Sequence, residues 1–270
     1  MDTKTFRIAA AIAAVVVIVA AAFFFLRPRH PAAPREGKPP RITFPEKKPL
    51  KGFIAIVIDD LGYNSVNLGI YAQIKEPLTV SVLPNLRFSA QVSEELHTRF
   101  EVILHLPMEP QGATDLEKNT ILVGMQPDEI STIVNADLDN LKYAKGVSNH
   151  MGSRATEDPR TMELVCSVLK QRSLYWLDSF VTAKSVGYAT AREAGLRFAR
   201  RDVFLDNRKE ADYIRRQLGI LKAQAAKAGY AIGIGHDRKI TLDTLRDEMP
   251  RIEAEGYKFV FVSALTEKTR

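Results

Sequence analysis

Two adjacent carboxylates follow a run of branched apolar residues in the segment FIAIVIDDLG, residues 53–62. Neighbouring side chains on a strand point to opposite faces, so Asp59 and Asp60 can share a cavity only where the strand ends and turns. Two anions crowded in a partly desolvated cavity repel each other and raise a pKa. A divalent cation relieves the repulsion in this carboxylate doublet if Asp60 binds it, and Asp59 then stays free to take a proton from water. The alternative is that both carboxylates cap the following turn and helix.

Three of the five histidines also follow candidate strands. His105, His150 and His236 each lie at the C-terminal end of a strand, whereas the other two lie in a proline-rich stretch and a helical stretch. Each of the three alone is compatible with a structural role. Together with the carboxylate doublet they predict a metal site, and carboxylate and imidazole ligands with an open position suit zinc.

The elements that must position these residues are short strands separated by helices. From residue 52 onward, β-branched runs alternate with longer stretches of helical period, which predicts parallel strands joined by helices. Asp158 and Pro159 have the features of a helix start, and Gly229 has those of a helix end. The candidate strands are residues 53–58, 78–83, 101–106, 146–150, 174–178, 202–206, 230–235 and 257–263.

The positions of the polar residues distinguish between two α/β architectures. Polar or ionisable side chains follow seven successive candidate strands at the same, C-terminal, end. An open doubly wound sheet concentrates its ligands near one switch point, whereas a barrel brings the C-terminal end of every strand to one opening. The pattern therefore favours a (β/α) barrel of seven to eight parallel strands.

The first 51 residues differ from the rest in composition. Residues 1–7 are a short basic segment, and residues 8–26 are an apolar run that is long enough, as a helix, to cross a hydrocarbon core of about 30 Å. We expect an uncleaved transmembrane signal anchor there rather than a cleaved signal peptide, because no clear cleavage site follows the run. Residues 27–51 hold seven of the fourteen prolines and predict an extended linker, which leaves 52–270 as the folded domain.

Charge and cysteine content exclude several classes of function. The formal charge is +6 for the whole chain, +6 for the linker 27–51 and −1 for residues 52–270. A nearly neutral domain disfavours nucleic acid as a partner, while the basic linker suits a membrane surface, an anionic wall polymer or plain solvation. The only cysteine, Cys166, lies in an apolar helical stripe, so neither an intramolecular disulfide nor a thiolate zinc site is expected.

Six motifs together carry a resemblance to a known family. In chain order they resemble the divergent branch of the polysaccharide deacetylases, and the likeness covers residues 52–265. The resemblance implies a distorted (β/α) barrel that uses a divalent metal to remove acetyl groups from N- or O-acetylated sugars. It also implies that Asp59 is the general base, Asp60 a metal ligand and His236 the general acid. The motifs are IAIVIDDLG, VILHLPMEPQG, GVSNHMGSRAT, YWLDS, RDVFLDN and AIGIGH.

One position departs from the family pattern. The family places two histidine ligands in a His-x-x-x-His arrangement, but here His105 is followed by Glu109 at the second position. Either Glu109 or His150 completes the set of ligands. We expect Asp60, His105 and His150 to bind the metal, because the proline between His105 and Glu109 prevents these two from stacking on one helical face. Glu109 then lies behind the ligands or faces the substrate.

Several further residues are candidates for supporting roles. Asp178 and Asp206 follow two later strands, and we expect them to orient a catalytic histidine or to hydrogen-bond the substrate, with ion pairing or turn capping as the alternative. Arg154 is a candidate partner for either of them. Trp176 precedes a strand end, where it either packs in the core or stacks on a sugar.

Three functional hypotheses follow from these observations. The first is a zinc-dependent deacetylase that acts on an acetylated envelope glycan, is held to the membrane through residues 8–26, and faces the periplasm or the cell exterior. The second is a catalytically silent barrel that binds glycan or an envelope partner. The third is a glycosidase in which Glu109 and Asp178 form an acid–base pair, although this leaves the histidines without a role.

Overall fold

The computed structural model describes residues 2–26 and 49–268, and the contacts divide the chain into two units, Met1–Glu46 and Lys47–Arg270. In the first unit the described residues form one helix, α1 (Thr3–Phe25). Most of the predicted linker lies outside the described residues, which include only its last three positions. The second unit contains residues 52–270, the range predicted as the folded domain.

The predicted membrane anchor falls on α1. The side chains of residues 3–6 and 8–10 lie outside the described part of this helix. Over the side chains that the structure does describe, no helix is both long enough and apolar enough to cross a membrane. The structure therefore does not confirm the predicted transmembrane helix.

The second unit is built on one ten-stranded sheet. The strands β1 to β9 run parallel to their neighbours, and only the short β10 is antiparallel. The strands are β1 (Gly52–Leu61), β2 (Thr79–Val82), β3 (Glu101–Met108), β4 (Gly146–Met151), β5 (Tyr175–Asp178), β6 (Arg197–Arg200), β7 (Val203–Phe204), β8 (Tyr230–His236), β9 (Tyr257–Phe259) and β10 (Glu267–Lys268). Their order is β10-β6-β5-β4-β3-β2-β1-β8-β7, with β9 beside the start of β1.

A single segment joins the two sides of the curled sheet. Only Arg201 and Asp202 separate β6, which pairs with β5, from β7, which pairs with β8. The amide of Arg201 donates to the carbonyl of Asp178 (3.0 Å), and the amide of Asp202 donates to the carbonyl of Ile232 (2.9 Å). The parallel sheet is thus curled into a half-barrel, which agrees with the predicted α/β barrel in part, and β6, which the sequence pattern did not predict, lies at one end of it.

Seven helices of the second unit connect the strands. They are α2 (Leu68–Tyr71), α3 (Ser89–Leu96), α4 (Pro127–Asn140), α5 (Pro159–Gln171), α6 (Gly187–Ala194), α7 (Ala211–Ala228) and α8 (Lys239–Ala254). Asp158 caps α5 by accepting from the amide of Thr161 (2.7 Å). Gly229 ends α7 with a φ of +88°, a conformation that glycine adopts without strain. Both predicted helix boundaries are confirmed.

Two apolar layers support the barrel. The larger one lies between the strands and the surrounding helices. A smaller inner cluster fills the barrel and comprises Ala55, Val57, Ile103, Tyr175, Leu177, Ala199, Ile232, Ile234 and Val262. Side chains alternate along a strand, so a residue two positions after a member of this cluster points to the same inner face. Asp59 follows Val57 on β1 in this way, and His236 follows Ile234 on β8. Both therefore lie on the inner face at the C-terminal end of the sheet.

Candidate metal centre

A break in the regular strand brings both members of the carboxylate doublet into one cavity. The pairing register of β1 with β2 shifts between Ile58 and Leu61, and Asp60 has a left-handed φ of +66°. In a regular strand Asp60 would point away from the face that Asp59 occupies. Here Asp59 Oδ2 and Asp60 Oδ1 lie 3.7 Å and 3.3 Å from the same atom, Nε2 of His105. The strand therefore ends on two like charges because a bulge aims both at one imidazole.

The structure brings together the three residues predicted as metal ligands. One potential ligand atom from each of Asp60, His105 and His150 lies within 4.8 Å of the others. Asp60 Oδ1 is 3.3 Å from Nε2 of His105 and 3.2 Å from Nδ1 of His150. His105 is buried, whereas Asp60 and His150 are partly exposed. A carboxylate and two imidazoles with one open side form a donor set that zinc and similar divalent cations favour.

The electrostatics of the doublet fit a cation. Burial raises the pKa of Asp59, although the His105 charge opposes this, and its buried Oδ1 has no hydrogen-bond partner among the described residues. Burial also tends to raise the pKa of Asp60, but hydrogen bonds and charge from His105 and His150 outweigh it and hold that pKa well below its ordinary value. An ionised carboxylate thus faces two imidazoles beside an unsatisfied buried oxygen, which is the environment that a divalent cation would complete.

The third strand-end histidine lies beside Asp59 and is oriented by Asp206. His236 is the register partner of Asp59 on the neighbouring strand. The buried carboxylate of Asp206 accepts from the ring Nδ1 of His236 (2.7 Å), from the His236 amide (2.9 Å) and from Thr241 Oγ1 (2.7 Å). Burial lowers the pKa of His236, but the hydrogen bond and charge of Asp206 outweigh it and raise that pKa above 6.5. Asp206 therefore has one of its predicted roles, that of orienting a histidine.

Asp178 caps a turn, which is one of the roles that the sequence left open for it. Tyr175 and Leu177 belong to the inner cluster, so Trp176 and Asp178 point to the outer face of β5. The Asp178 carboxylate caps the following turn by accepting from the amide of Phe180 (2.7 Å), and it also accepts from the Ser185 hydroxyl (2.6 Å). It contacts no histidine in the described part of the chain. Trp176 is fully buried, which places it in the core rather than at a sugar-binding surface.

Glu109 and Arg154 pair with each other, which corrects the expected partner of Arg154. Arg154 Nη1 lies 2.6 Å from Glu109 Oε1, whereas the sequence suggested that Arg154 pairs with Asp178 or Asp206. Glu109 Oε2 accepts from the amide of Val123 (2.7 Å). With both oxygens engaged, Glu109 is not part of the group of potential metal ligands. The Glu109–Arg154 pair instead links the end of β3 to the loop after β4.

Sequence reasoning missed two buried serines that adjoin the site. Ser148 lies two residues before His150 on β4, on the same face, and is the register partner of His105. Ser81 lies on β2, and its hydroxyl is 2.7 Å from that of Ser148. The available signal was the alternation of side chains along β4, which requires Ser148 and His150 to share a face.

A cavity of about 820 Å³ lies at the other end of the barrel, next to the amino-terminal ends of β3, β4 and β5. Its lining includes Arg99, Lys145, Arg172 and Arg197 around the buried Glu101. None of the predicted catalytic or metal-ligating residues lines this cavity. It is therefore separate from the candidate metal centre.

Comparison with known sequences gives a family and two relatives. The family described as divergent polysaccharide deacetylase matches residues 56–266. The uncharacterized protein YibQ of Escherichia coli strain K12 is 35% identical over 198 residues, which cover 73% of this chain and 62% of that protein. An uncharacterized protein of Haemophilus influenzae strain KW20 is 34% identical over 195 residues, which cover 72% of this chain and 69% of that protein. The chain thus spans less than two thirds of the length of the E. coli relative.

Comparison with solved structures supports the fold. The crystal structure of the uncharacterized protein ATU2773 from Agrobacterium tumefaciens C58 matches with a TM-score of 0.77 and 22% sequence identity. The match covers 82% of this chain and 92% of that chain. At this identity the likeness is evidence for the fold alone.

Proposed function

The chain belongs to the divergent polysaccharide deacetylase family, and from that premise we propose that it is a metal-dependent hydrolase that removes acetyl groups from an envelope glycan. The substrate class comes from the family, while the reaction type comes from the site. The observation that carries the proposal is the cluster of Asp60, His105 and His150 beside the buried Asp59, whose Oδ1 lacks a partner among the described residues.

The residues of the site have distinct tasks in this proposal. Asp60, His105 and His150 would hold a divalent cation, for which zinc is the first candidate. When bound, such a cation polarises a carbonyl and acidifies water. Asp59 remains outside this set of ligands, and its buried position raises its pKa, which suits a general base.

The hydrolysis needs one proton acceptor and one proton donor. Asp59 takes a proton from the attacking water as the new oxygen–carbon bond forms at the acetamide carbonyl. His236, whose pKa is raised by the hydrogen bond and charge of Asp206 against the effect of burial, gives a proton to the amine nitrogen as the carbon–nitrogen bond breaks. Since Nδ1 of His236 is held by Asp206, Nε2 is the nitrogen available for this transfer. The products are acetate and a free sugar amine.

Acetate release from defined substrates tests the proposal. The purified full chain, loaded with zinc, is incubated with chito-oligosaccharides and with peptidoglycan fragments, and free acetate is measured. We expect Asp59→Asn to lower the rate by about 10²- to 10⁴-fold while zinc binding persists, and Asp60→Asn to abolish zinc binding. Asp178→Asn is the matched control, because this buried carboxylate lies on the outer face of β5.

A catalytically silent glycan-binding barrel remains the alternative. Stoichiometric zinc with no acetate release from any of these substrates, together with retention of glycan on an affinity matrix, would overturn the deacetylase proposal and favour the binding role. Acetate release that Asp59→Asn leaves unchanged would contradict the assignment of the base.

For the location of the protein we propose the cell envelope, with residues 8–26 as its membrane anchor. The support is the apolar sequence of α1 and the exposure of every side chain described from residue 11 to 26. Exposed apolar helices of this kind are normally covered by another surface or by lipid. Cell fractionation with protease protection tests this proposal: recovery in the soluble cytosolic fraction would overturn it.

A further inference from the structure

The cavity at the amino-terminal end of the curled sheet lies outside the proposed catalytic site. Its volume is about 820 Å³, which falls within the range of about 300–1,000 Å³ that is usual for pockets holding small organic ligands. It is bordered by the segments that lead into β3, β4 and β5, by the start of β6 and by residues 261 and 263. The candidate metal centre lies at the carboxyl ends of the strands, so the two sites share no residue.

The charges that line this cavity are mostly positive. Glu101 is the one acidic residue among the described residues that line it. Of the cations, only Arg172 has a carboxylate partner in the described part of the chain, because its Nη2 lies 3.0 Å from Asp139 Oδ1. This excess of positive charge favours an anionic ligand. The four cationic side chains are Arg99, Lys145, Arg172 and Arg197.

Neutral partners orient two of the cations without removing their charge. Arg99 donates from Nη1 to the carbonyl of Ala72 (3.0 Å) and from Nη2 to the carbonyl of Ile74 (2.5 Å). The guanidinium of Arg197 lies 5.7 Å from the centre of the Tyr175 ring. These contacts hold the side chains in place before any ligand arrives, which lowers the entropic cost of binding.

The buried carboxylate of Glu101 has one oxygen left without a partner. Its Oε1 accepts from Thr79 Oγ1 (3.0 Å), from the Tyr175 hydroxyl (2.9 Å) and from the amide of Ser263 (3.1 Å). Its Oε2 has no hydrogen-bond partner among the described residues, although Glu101 is only 8% exposed and lines the cavity. An ionised carboxylate can only accept, so a hydroxyl or amino group of a ligand would satisfy this oxygen.

The cavity therefore presents two requirements that one molecule has to meet. The cations call for a negatively charged group, and Glu101 Oε2 calls for a hydrogen-bond donor. The partly exposed rings of Tyr143 and Phe261, which also line the cavity, offer apolar surface to a carbon skeleton. A bare inorganic anion meets only the first requirement, and a neutral sugar meets only the second.

We propose that this cavity is a binding site for a hydroxylated organic anion, of the class of sugar acids and sugar phosphates. The anionic group lies among the cations, and a hydroxyl group donates to Glu101 Oε2. The proposal does not rest on the deacetylase activity, because it uses neither the candidate metal centre nor any residue of it.

Calorimetric titration of the purified full chain tests the class of ligand. The four probes are glucose 6-phosphate, glucuronate, glucose and inorganic phosphate. We expect at least one of the two sugar anions to bind about 10-fold or more tightly than both glucose and phosphate, because only the sugar anions supply both groups. Phosphate that binds as tightly as the sugar anions would reveal an adventitious ion only and overturn the proposal. The absence of binding by every probe at millimolar concentration would also overturn it.

Substitution of the cations tests the location of the site. We expect Lys145→Gln and Arg197→Gln each to weaken binding of the sugar anion by about 10-fold, because a hydrogen bond to a charged group is lost. Lys227→Gln is the matched control, since Lys227 is also exposed and does not line the cavity. Equal affinity in Lys145→Gln and Lys227→Gln would place the ligand elsewhere and contradict the proposal.

Substitution of Glu101 tests the second requirement. In Glu101→Gln the side-chain carbonyl can still accept from the three donors around Oε1, but the other position becomes an amino group and no longer accepts. We expect the preference for the sugar anion over inorganic phosphate to shrink towards equality. An unchanged preference in the folded variant would overturn the proposal. If Glu101→Gln does not fold, as judged by circular dichroism, Lys145→Gln and the four probes still decide. None of these measurements uses a metal or acetate release, so their outcome is independent of the proposed function.

Discussion

At the scale of the single residue, Asp60 combines a chemical and a conformational requirement. Its carboxylate faces His105 and His150, and its backbone has a φ of +66°. Asparagine and aspartate tolerate this left-handed region far better than alanine does. The identity of the residue at position 60 is therefore constrained by the bulge as well as by the candidate metal.

The two requirements can be separated by substitution. We expect Asp60→Asn and Asp60→Ala both to lose zinc binding, because neither presents a carboxylate. Only Asp60→Ala should also lose about 1–2 kcal/mol of unfolding free energy in the metal-free protein, because alanine is strained at this φ. Chemical denaturation in the presence of a chelator measures the difference. Equal stability of the two variants would show that the bulge does not depend on which residue occupies position 60.

The Asp206–His236 pair predicts a pH dependence. The folded-state pKa of His236 is raised, so the protonated pair stabilises the fold below the ordinary pKa of 6.5, and this stabilisation is lost as pH rises through the raised value. In Asp206→Asn the pKa of His236 should fall. The alkaline limb of the rate profile for acetate release should then move to lower pH. An unchanged alkaline limb would exclude His236 as the general acid.

Residue types and strand-end positions were sufficient to identify the members of the candidate site. Asp59, Asp60, His105 and His150 could be selected because each follows a β-branched run. The structure brings the last three together and places Asp59 Oδ2 3.7 Å from Nε2 of His105. The partner of Arg154 could not be deduced, because it depends on how the loop after β4 folds against the end of β3. Contacts between loops leave no periodic signal in the sequence.

At the scale of the element, the face to which a strand side chain points decides whether it reaches the site. Asp178 and His236 both lie at strand ends, yet the first points outward and the second points inward. A shift of one residue in the register of a strand moves each of its side chains to the opposite face of the sheet. Tyr175, Trp176 and Leu177 are apolar residues on both faces of β5, so they gave no sign of which residues line the barrel.

A buried contact between the loop after β2 and the helix α4 offers a test at this scale. Asp137 of α4 is fully buried, accepts from Asn85 Nδ2 (2.6 Å), and its Oδ2 has no partner among the described residues. Burial raises the pKa of Asp137 to about 6, although the Asn85 hydrogen bond opposes this. Ionisation therefore costs stability, and the cost grows as pH rises from the ordinary value of 3.8 to about 6.

Removing this charge should stabilise the protein at neutral pH. We expect Asp137→Asn to raise the unfolding free energy by about 1–3 kcal/mol near pH 7, a gain that shrinks towards pH 4. Thermal melts across this range measure the effect. If the gain in unfolding free energy does not depend on pH, removal of the Asp137 charge is not its cause.

At the scale of the whole molecule, the two ends of the curled sheet are linked by contacts between distant parts of the chain. The amides of Arg201 and Asp202 bond to opposite sides of the sheet, at Asp178 and Ile232. The alternation of strands and helices predicted a barrel, but β6 has only four residues, two of them arginines, and gives no clear strand pattern. Its place in the sheet is set by these tertiary hydrogen bonds.

The second unit should be stable without the first. All members of the outer and inner apolar clusters lie between residues 54 and 262. We therefore expect a truncated chain of residues 49–270 to unfold within about 2 °C of the full chain, since a change of 1 kcal/mol shifts Tm by about 2–4 °C at this size. Differential scanning calorimetry of both proteins measures this. A decrease of more than about 5 °C would show that residues 1–48 contribute to the fold.

The inner cluster has a consequence for how any substrate must approach. Tyr175, Ile232 and the other members of the inner cluster are buried side chains that pack against one another inside the curled sheet. In the proposed function, a glycan strand would therefore lie across the rim and present a single acetamide group to the candidate metal centre, and acetate would leave by the route through which that group entered. Such a geometry would serve sugars in the middle of a long polymer as readily as those at its ends.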